Sequence, residues 1–579
     1  MKQPRPTQMG LLPLVVGVTG HRDLADEDSA SIVHQVGSLF ATLRRSYPHT
    51  PIVLLSSLAE GADRLVARAA LDCGVELHAV LPMQAELYEL DFKSAQSLED
   101  FGELLSRSYD TSVVPLNGDP ADADTGVGGS ARDHRYATAG AFIVSHSHVL
   151  IALWDGSPDE MPGGTSQIVR FALQGVPSKY LSGPKELRTD ETGAVYHVRT
   201  ARQSATRAGS PVAATWLYPG DNPTNGPAGN SARAAFEENL RSLERFNRDA
   251  VTSPIDRQAN RTAESLLPAQ RAGSFGAAGP ILEYTRALFG QADALALRCR
   301  NSTHAAMISI FCTIGVAAVF FSLFANLFPG SVVLYFCFLV LVAIALVTNA
   351  LVERSRLQDR FQDYRALAEG LRVQFYWRLA GINESVYDHY LPRQEGELEW
   401  IRDAMRAARF RRQTEPNPSI TAAQTHALME VILAEWIDDQ GAYFSRACRK
   451  EREMATRIKF AARLCLAGTA IIAIALAATL IARSTAYQSL LVMLLTLMLA
   501  GAGLFTGYAQ KRAHEEHARR YERMSALFKI AGERVELLLA QKDPPSARNV
   551  LMHLGREALA ETCDWLILHR EREIEVPTA

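Results

Sequence analysis

The residues best suited to chemistry lie in three turns in the N-terminal third of the chain, each after a short apolar run. The first turn reads G-V-T-G-H-R and ends in an arginine, whose planar guanidinium pairs well with phosphate oxygens. Its glycines let the backbone turn sharply and approach a ligand closely. We therefore predict that a phosphorylated ligand contacts this turn through Gly17, Thr19, Gly20, His21 and Arg22.

The second turn, S-L-A-E-G-A-D, leads directly into a helical pattern that begins near Arg64. N–H groups at the start of a helix lack intrahelical partners and attract anions. The third turn ends in a glycine pair before another helical pattern. Any one such turn is typical of an ordinary connection, but three in one sheet favour a nucleotide-type ligand. The candidate residues of these two turns are Ser57, Glu60, Gly61, Ala62, Asp63, Asp155, Gly163, Gly164 and Thr165.

These turns must be positioned by an α/β domain. Apolar runs at 14–18, 52–56, 76–80 and 149–154 alternate with amphipathic stretches, which predicts a parallel sheet wound with helices, and 194–199 predicts a late strand. Ligands of such sheets bind in the crevice outside the carboxyl ends of the strands.

Four further side chains lie close to this predicted edge. Tyr88, Asp91 and Phe92 follow the third strand and either face the crevice or pack within their loop. Arg199 is either a ligand contact or a solvated charge at the end of the late strand.

Composition narrows the function further. The net charge is -3 with 21% charged residues, so the chain has no overall positive field to hold nucleic acid. Its 7 cysteines contain no C-x-x-C pair, which predicts neither a zinc site nor a disulfide framework. We expect no metal and no nucleic-acid partner.

The second half of the chain contains four long apolar stretches, at 305–328, 332–352, 464–482 and 484–510, none with a charged side chain. About 20 apolar residues in a helix cross the hydrocarbon core. These stretches therefore predict four transmembrane helices in two tight hairpins. Arginine and lysine crowd the ends away from the hairpin turns, which by the positive-inside rule places both termini in the cytoplasm.

The remaining segments connect these two parts. Residues 203–235 show no periodicity and predict an irregular loop, whereas 235–249 and 282–300 predict helices. Apolar residues recur at helical spacing after the second span, which predicts an amphipathic helix in a cytoplasmic bundle. The expected domains are 1–215 as a ligand sensor, 216–284 as a linker, and 285–410 and 411–579 as one hairpin each.

Over residues 12–215 the pattern T-G-H-R, S-x-L-A-x-G-A-D and G-G-T-x-x-I-V resembles the SLOG superfamily. The resemblance implies a Rossmann-like fold and a nucleotide-derived ligand, cyclic or similar to ADP-ribose. The LOG phosphoribohydrolases of that superfamily carry a catalytic glutamate after the glycine motif. Because the chain has T-S-Q-I there, the resemblance favours binding over hydrolysis.

Residues 285–575 resemble SLATT domains, the two-transmembrane effectors associated with SLOG proteins in bacterial conflict systems. The paired spans, the exit helix Y-R-A-L-A-E-G-L-R and the closing W-L-I-L-H-R carry this resemblance. It implies a homo-oligomeric effector in the bacterial plasma membrane that forms pores or disrupts the bilayer during antiviral defence.

Three functions follow from these patterns. The first is a membrane effector gated by a nucleotide-derived second messenger, without catalytic residues. The second is a membrane-anchored enzyme that cleaves a nucleotide or its glycosidic bond, with Glu60 or Asp63 as acid or base. The third is a constitutive channel or transporter, which the absence of ionisable residues from the spans disfavours.

Overall fold

The computed structural model groups the chain into two compact units. The sheet unit comprises residues 1–293 and 366–420, and the hairpin unit comprises 294–365 and 421–579. The domain bounds expected from the sequence are not the bounds of these two units, and they remain a prediction. The structure describes residues 10–114, 129–158, 161–180, 192–203, 212–220, 230–253, 255–268, 279–382, 384–390, 398–408, 422–485 and 487–570.

A seven-stranded sheet forms the centre of the sheet unit, in the order β4-β3-β2-β1-β5-β6-β7. All neighbouring strands are parallel except β6 and β7, which are antiparallel. The chain leaves β1 towards β2 on one side and returns on the other side at β5, so the topological switch point lies between β1 and β5. The strands are β1 (Leu14–Gly20), β2 (Ile52–Ser56), β3 (Glu76–Leu81), β4 (Asp110–Val113), β5 (Val149–Trp154), β6 (Ala194–Arg199) and β7 (Ala213–Leu217).

The predicted α/β class is confirmed, and its Rossmann-like sheet follows from the apolar runs. Every residue of β2 and β5 is buried, as expected for parallel strands covered on both faces. The covering helices include α1 (Ser29–Ser46), α2 (Ala62–Asp72), α3 (Ala85–Tyr88), α4 (Ala95–Arg107), α5 (Ser130–His146) and α6 (Thr165–Gln174).

The prediction of an irregular loop at 203–235 was wrong in two places. Strand β7 lies within it and pairs with β6, where the rings of Tyr196 and Trp216 are 5.1 Å apart. Helix α7 (Asn230–Thr252) also begins inside it, at Asn230. β7 is short and no residue of it is fully buried, so its pairing with β6 rather than an apolar run determines its structure.

Helices from distant parts of the sequence complete the sheet unit. Asn247 of α7 accepts a hydrogen bond from the Leu12 N–H at 2.9 Å and donates one to the Leu12 carbonyl at 2.8 Å. Tyr284 donates its hydroxyl to the Leu11 carbonyl at 2.6 Å. Arg406, which follows the first hairpin in the sequence, donates a hydrogen bond to the Ser145 carbonyl at 2.8 Å. The sheet unit is therefore not contained in the first 250 residues.

The later helices include four that are long and apolar enough to cross a membrane, in agreement with the prediction. The fourth apolar stretch becomes helical at Gln488 rather than at 484. Arg483 and Tyr487 have positive φ angles of 53° and 66°, so the second hairpin turn is longer than predicted. The helices after α7 are α8 (Asp256–Leu266), α9 (Gly279–Asn326), α10 (Val332–Ser355), α11 (Leu357–Leu379), α12 (Glu399–Ala408), α13 (Ala422–Ile432), α14 (Asp439–Ile481), α15 (Gln488–Arg512), α16 (His514–Ala540) and α17 (Pro544–Arg570).

The two hairpins share a structural detail that their sequences do not display. A single left-handed residue follows the second apolar helix of each hairpin, Arg356 after α10 and Ala513 after α15, and a new helix starts at the next position. A tyrosine follows at the same spacing in both, Tyr364 and Tyr521. The hairpin unit therefore contains two segments of the same helical plan.

Candidate ligand-binding site

The first two predicted turns meet beside the switch point. The Ala62 N–H at the start of α2 donates to the His21 carbonyl at 3.0 Å. A Cβ atom on Gly20 would collide with the Ala62 side chain, and one on Gly61 would collide with the Arg22 carbonyl. Gly61 also has a φ of 77°, which disfavours any other residue. The two glycines are thus required for the close contact between these turns.

The first turn also contacts the start of the third. The His21 N–H donates to the Leu153 carbonyl at 3.1 Å, and the Asp155 N–H donates to His21 Nε2 at 3.2 Å. Arg202 lies on the other side of the Asp155 carboxylate, with Nε 3.3 Å from Oδ2. Arg199, a candidate contact from the sequence, is exposed at the end of β6, and Arg202 was not predicted.

Electrostatics fix the charge states in this group. Burial lowers the pKa of His21, and the positive charge of Arg202 lowers it further, so the imidazole is neutral and accepts hydrogen bonds. Partial burial opposes ionisation of Asp155, but the hydrogen bond from the Ser157 N–H and the positive charge of Arg202 hold its pKa below the usual range. The carboxylate therefore stays ionised at neutral pH and can accept hydroxyl hydrogen bonds.

Arg22 lies at the surface with its guanidinium 5.2 Å from the centre of the Tyr136 ring. Among the described residues, no carboxylate forms an ion pair with Arg22. The Tyr136 hydroxyl donates to Asp91, which is also paired with buried Arg132 at 2.8 Å. Asp91 thus holds the aromatic platform under Arg22. Tyr136 was missed from the sequence because it comes from α5, far from any glycine turn.

The third turn approaches the same platform. Gly163, with a φ of 77°, packs against Tyr136, where an added Cβ would lie 2.9 Å from the tyrosine Cβ. Its N–H donates to the Gln167 side chain at 2.7 Å. Gly164 caps α6 without a side-chain hydrogen bond, so the first N–H groups of the helix, from buried Thr165 onward, have no side-chain cap. The three turns are thereby linked through His21, Arg22 and Tyr136.

Two predicted carboxylates brace the second turn. Asp63 is buried and accepts hydrogen bonds from the backbone N–H groups of Ala59 and Ser57, while burial raises its pKa to about 7. Glu60 accepts a hydrogen bond from the Ser97 hydroxyl, and Arg64 donates to that hydroxyl at 2.9 Å. Both carboxyl groups are thus used within the scaffold.

Other predicted residues lie within the packing rather than at the surface of the crevice. A Cβ on Gly17, in the middle of β1, would collide with Ile143 of α5. Thr19 is half-buried next to Ala152 in the sheet. Tyr88 and Phe92 form an aromatic cluster, with ring centres 5.1 Å apart.

Among the described residues, no group of three or more histidine, cysteine, aspartate or glutamate side chains is arranged to hold a metal ion. The three turns present guanidinium, imidazole, carboxylate and backbone N–H groups. These groups suit a molecule that carries both phosphate and hydroxyl groups.

Comparison with known proteins finds a match to one segment of the chain. Residues 291–379 match the model of a family described as a protein of unknown function, DUF4231. The match begins within α9 and ends with α11, so it covers the first hairpin and the helix after its left-handed residue. No curated protein matches the chain. No solved structure matches it either.

Proposed function

We propose that the chain is a membrane effector switched by a nucleotide-derived ligand that binds at the β1–β5 switch point. Arg22 carries this proposal, because its exposed guanidinium has no carboxylate partner among the described residues and is held over Tyr136 where the three turns meet. Such a guanidinium is suited to a phosphate, and the α6 N-terminus adds positive potential.

The neighbouring groups suggest what else the ligand carries. Asp155 is ionised and its side chain is 24% exposed, so it can accept hydrogen bonds from ribose hydroxyls beside the phosphate subsite. A cyclic nucleotide or an ADP-ribose-like molecule has this combination of phosphate and hydroxyl groups. The resemblance to the SLOG superfamily supports the same ligand class.

Sensing is favoured over catalysis because the two carboxyl groups that could act as acid or base are hydrogen-bonded within the protein. Asp63 and Glu60 are hydrogen-bonded within the second turn, and Gln167 is turned back onto Gly163. A membrane-anchored nucleotide hydrolase or phosphoribohydrolase is the alternative, since a pKa of about 7 would suit Asp63 to general acid–base work. Turnover of the bound ligand distinguishes the two.

A route from the crevice to the membrane starts at β1. The segment before β1 is hydrogen-bonded to Tyr284 of α9, and α9 also contains the first apolar span. Changing a mostly closed population into a mostly open one requires about 5.5 kcal/mol of differential ligand binding. A homo-oligomer supplies this energy through several sites. The resemblance to SLATT domains supports pore formation or membrane disruption in a bacterial plasma membrane as the output. The arginine and lysine residues at the ends away from the hairpin turns favour cytoplasmic termini.

The test uses the full-length chain in detergent, because the sheet unit includes residues after the first hairpin. Titration with ADP-ribose and with cyclic mono- and dinucleotides should reveal one class that binds and is recovered intact. Arg22→Ala should weaken that binding at least about tenfold, as expected for loss of a charge-assisted contact. Arg107→Ala, an exposed arginine on α4, is the matched control and should bind normally.

Two outcomes would contradict the proposal. Binding that is the same in wild type and Arg22→Ala would remove the crevice from consideration, and steady cleavage of the ligand would favour the enzyme. Liposome conductance should require the same ligand. Conductance without any ligand would favour a constitutive channel.

A further inference from the structure

A second cationic site lies in the hairpin unit, in a groove between α14 and α16. The groove has a volume of about 750 Å³, which is large enough for a nucleotide or a lipid headgroup. The lining residues of α14 recur every three or four positions from Ser445 to Arg457, so they form one stripe that faces α16. Nothing in the proposed ligand crevice contributes to this groove.

The charges of the groove are unbalanced. Four cationic side chains line it, Arg449, Arg452, Arg457 and Lys529, against the two carboxylates Glu453 and Glu522. Arg452 is neutralised by Glu522 at 2.7 Å across the groove. Arg449 and Arg457 form no ion pair within the part of the chain that the structure describes. Both are exposed, so two guanidinium groups remain available to an incoming anion.

The position of the groove along α14 adds to this argument. The helix is continuous from Asp439 to Ile481, and the apolar stretch begins at Leu464. At about 1.5 Å per residue, Arg457 lies about 10 Å along the helix from the start of the apolar stretch, and Arg449 lies about 12 Å further from it. The groove thus extends from the membrane surface into water.

We infer that this groove binds a molecule with at least two phosphate groups, through Arg449 and Arg457. Two separated guanidinium groups select clustered phosphates over a single anion, because each can form its own paired hydrogen bonds. Glu522, which is paired with Arg452, lowers the affinity for the ligand because it places a negative charge beside the bound phosphates. A diphosphatidyl lipid headgroup and a soluble polyphosphate share this chemistry.

The experiment uses the full-length chain with Arg22→Ala, so that the proposed crevice does not contribute. Tripolyphosphate is titrated against the protein in phosphatidylcholine nanodiscs, and retention of cardiolipin is measured by native mass spectrometry from detergent. Saturable tripolyphosphate binding identifies a soluble ligand, and cardiolipin retention without it identifies a lipid. Binding of neither would overturn the inference.

Variants assign the binding to the groove. Arg449→Ala with Arg457→Ala should weaken it about tenfold or more, and Glu522→Gln should strengthen it about threefold. Arg446→Ala with Arg519→Ala is the matched control, because both arginines are exposed on the same two helices outside the groove. Equal binding by the groove variant and its control would refute the site, as would weaker binding by Glu522→Gln. Unchanged unfolding midpoints show that the variants fold.

Discussion

The hydroxyl groups of Ser322 and Thr496 form a hydrogen bond of 3.0 Å between α9 and α15. One residue belongs to the first hairpin and the other to the second. Ser322 is only 5% exposed, whereas much of each apolar helix around it is open to its surroundings. The Phe311 and Tyr508 rings, 5.6 Å apart, continue the same contact. The two hairpins thus pack on each other through α9 and α15.

Ser322→Ala should lower the stability of the folded protein in detergent by about 0.6 kcal/mol, the average worth of a hydrogen bond between membrane helices. Thr496→Ala should cost a similar amount. The double variant should cost less than the sum, because both changes remove one interaction. Unfolding midpoints in detergent give these differences.

Thr348→Ala is the control for these variants, since the half-buried Thr348 on α10 donates its hydroxyl to the Ile344 carbonyl of the same helix. It should leave the midpoint almost unchanged. Strict additivity of the Ser322 and Thr496 effects would show that the hydroxyl groups do not interact across the hairpins.

Tyr136 should contribute to ligand binding by orienting Arg22. Tyr136→Leu removes the aromatic face, which is worth about 0.5–1 kcal/mol at an exposed site, and should weaken binding of the crevice ligand two- to fivefold. Tyr136→Phe keeps the face and loses only the hydroxyl, which donates to Asp91 and accepts from Arg132, so it should bind more tightly than the leucine variant. Isothermal titration with the ligand found for wild type gives both constants. Equal loss in the two variants would contradict the platform role.

Gly61 should tolerate no side chain. Gly61→Ala places a Cβ against the Arg22 carbonyl at a φ of 77°, and should lower the free energy of unfolding by about 1–3 kcal/mol together with ligand affinity. Gly102→Ala on α4 is the control, because nothing lies within contact distance of its Cβ and alanine favours a helix. Denaturant titration of both variants measures their free energies of unfolding. A Gly61→Ala protein as stable as wild type would show that the two turns can separate.

The sequence predicted those parts of the fold that an apolar run determines by itself. β1, β2, β3, β5 and β6 were located because buried parallel strands are almost continuously apolar. β4 reads Asp-Thr-Ser-Val and is a polar edge strand, and β7 depends on its pairing with β6. Neither pattern differs enough from a loop to be recognised.

The candidate site shows the same limit. The glycine turns and Arg22 follow strands in sequence and were found by that order. Tyr136 and Arg202 reach the crevice from α5 and from the segment after β6, so only the folded arrangement brings them to Arg22 and Asp155. The backbone roles of Asp63 and Gln167 were equally hidden, because a carboxyl or amide near a turn looks the same whether it binds a ligand or the turn itself.

Asp63 should make stability depend on pH in an identifiable direction. Burial raises its pKa from an ordinary 3.8 to about 7 in the folded protein, so the folded state holds this proton more tightly than the unfolded state. The stabilisation is complete below about pH 4 and is lost as the pH rises through 7. The free energy of unfolding of wild type relative to Asp63→Asn should therefore fall between pH 4 and 7, by at most about 1.4 kcal/mol per pH unit.

Urea titrations of both proteins in detergent at several pH values measure this difference. Taking the difference removes the contribution of His21, whose lowered pKa acts in the opposite direction in both proteins. The asparagine side chain can still accept a backbone N–H, so the variant should keep the second turn. A difference that does not change with pH, or that grows as the pH rises, would mean that Asp63 is ionised in the folded turn. The two backbone N–H groups would then outweigh its burial.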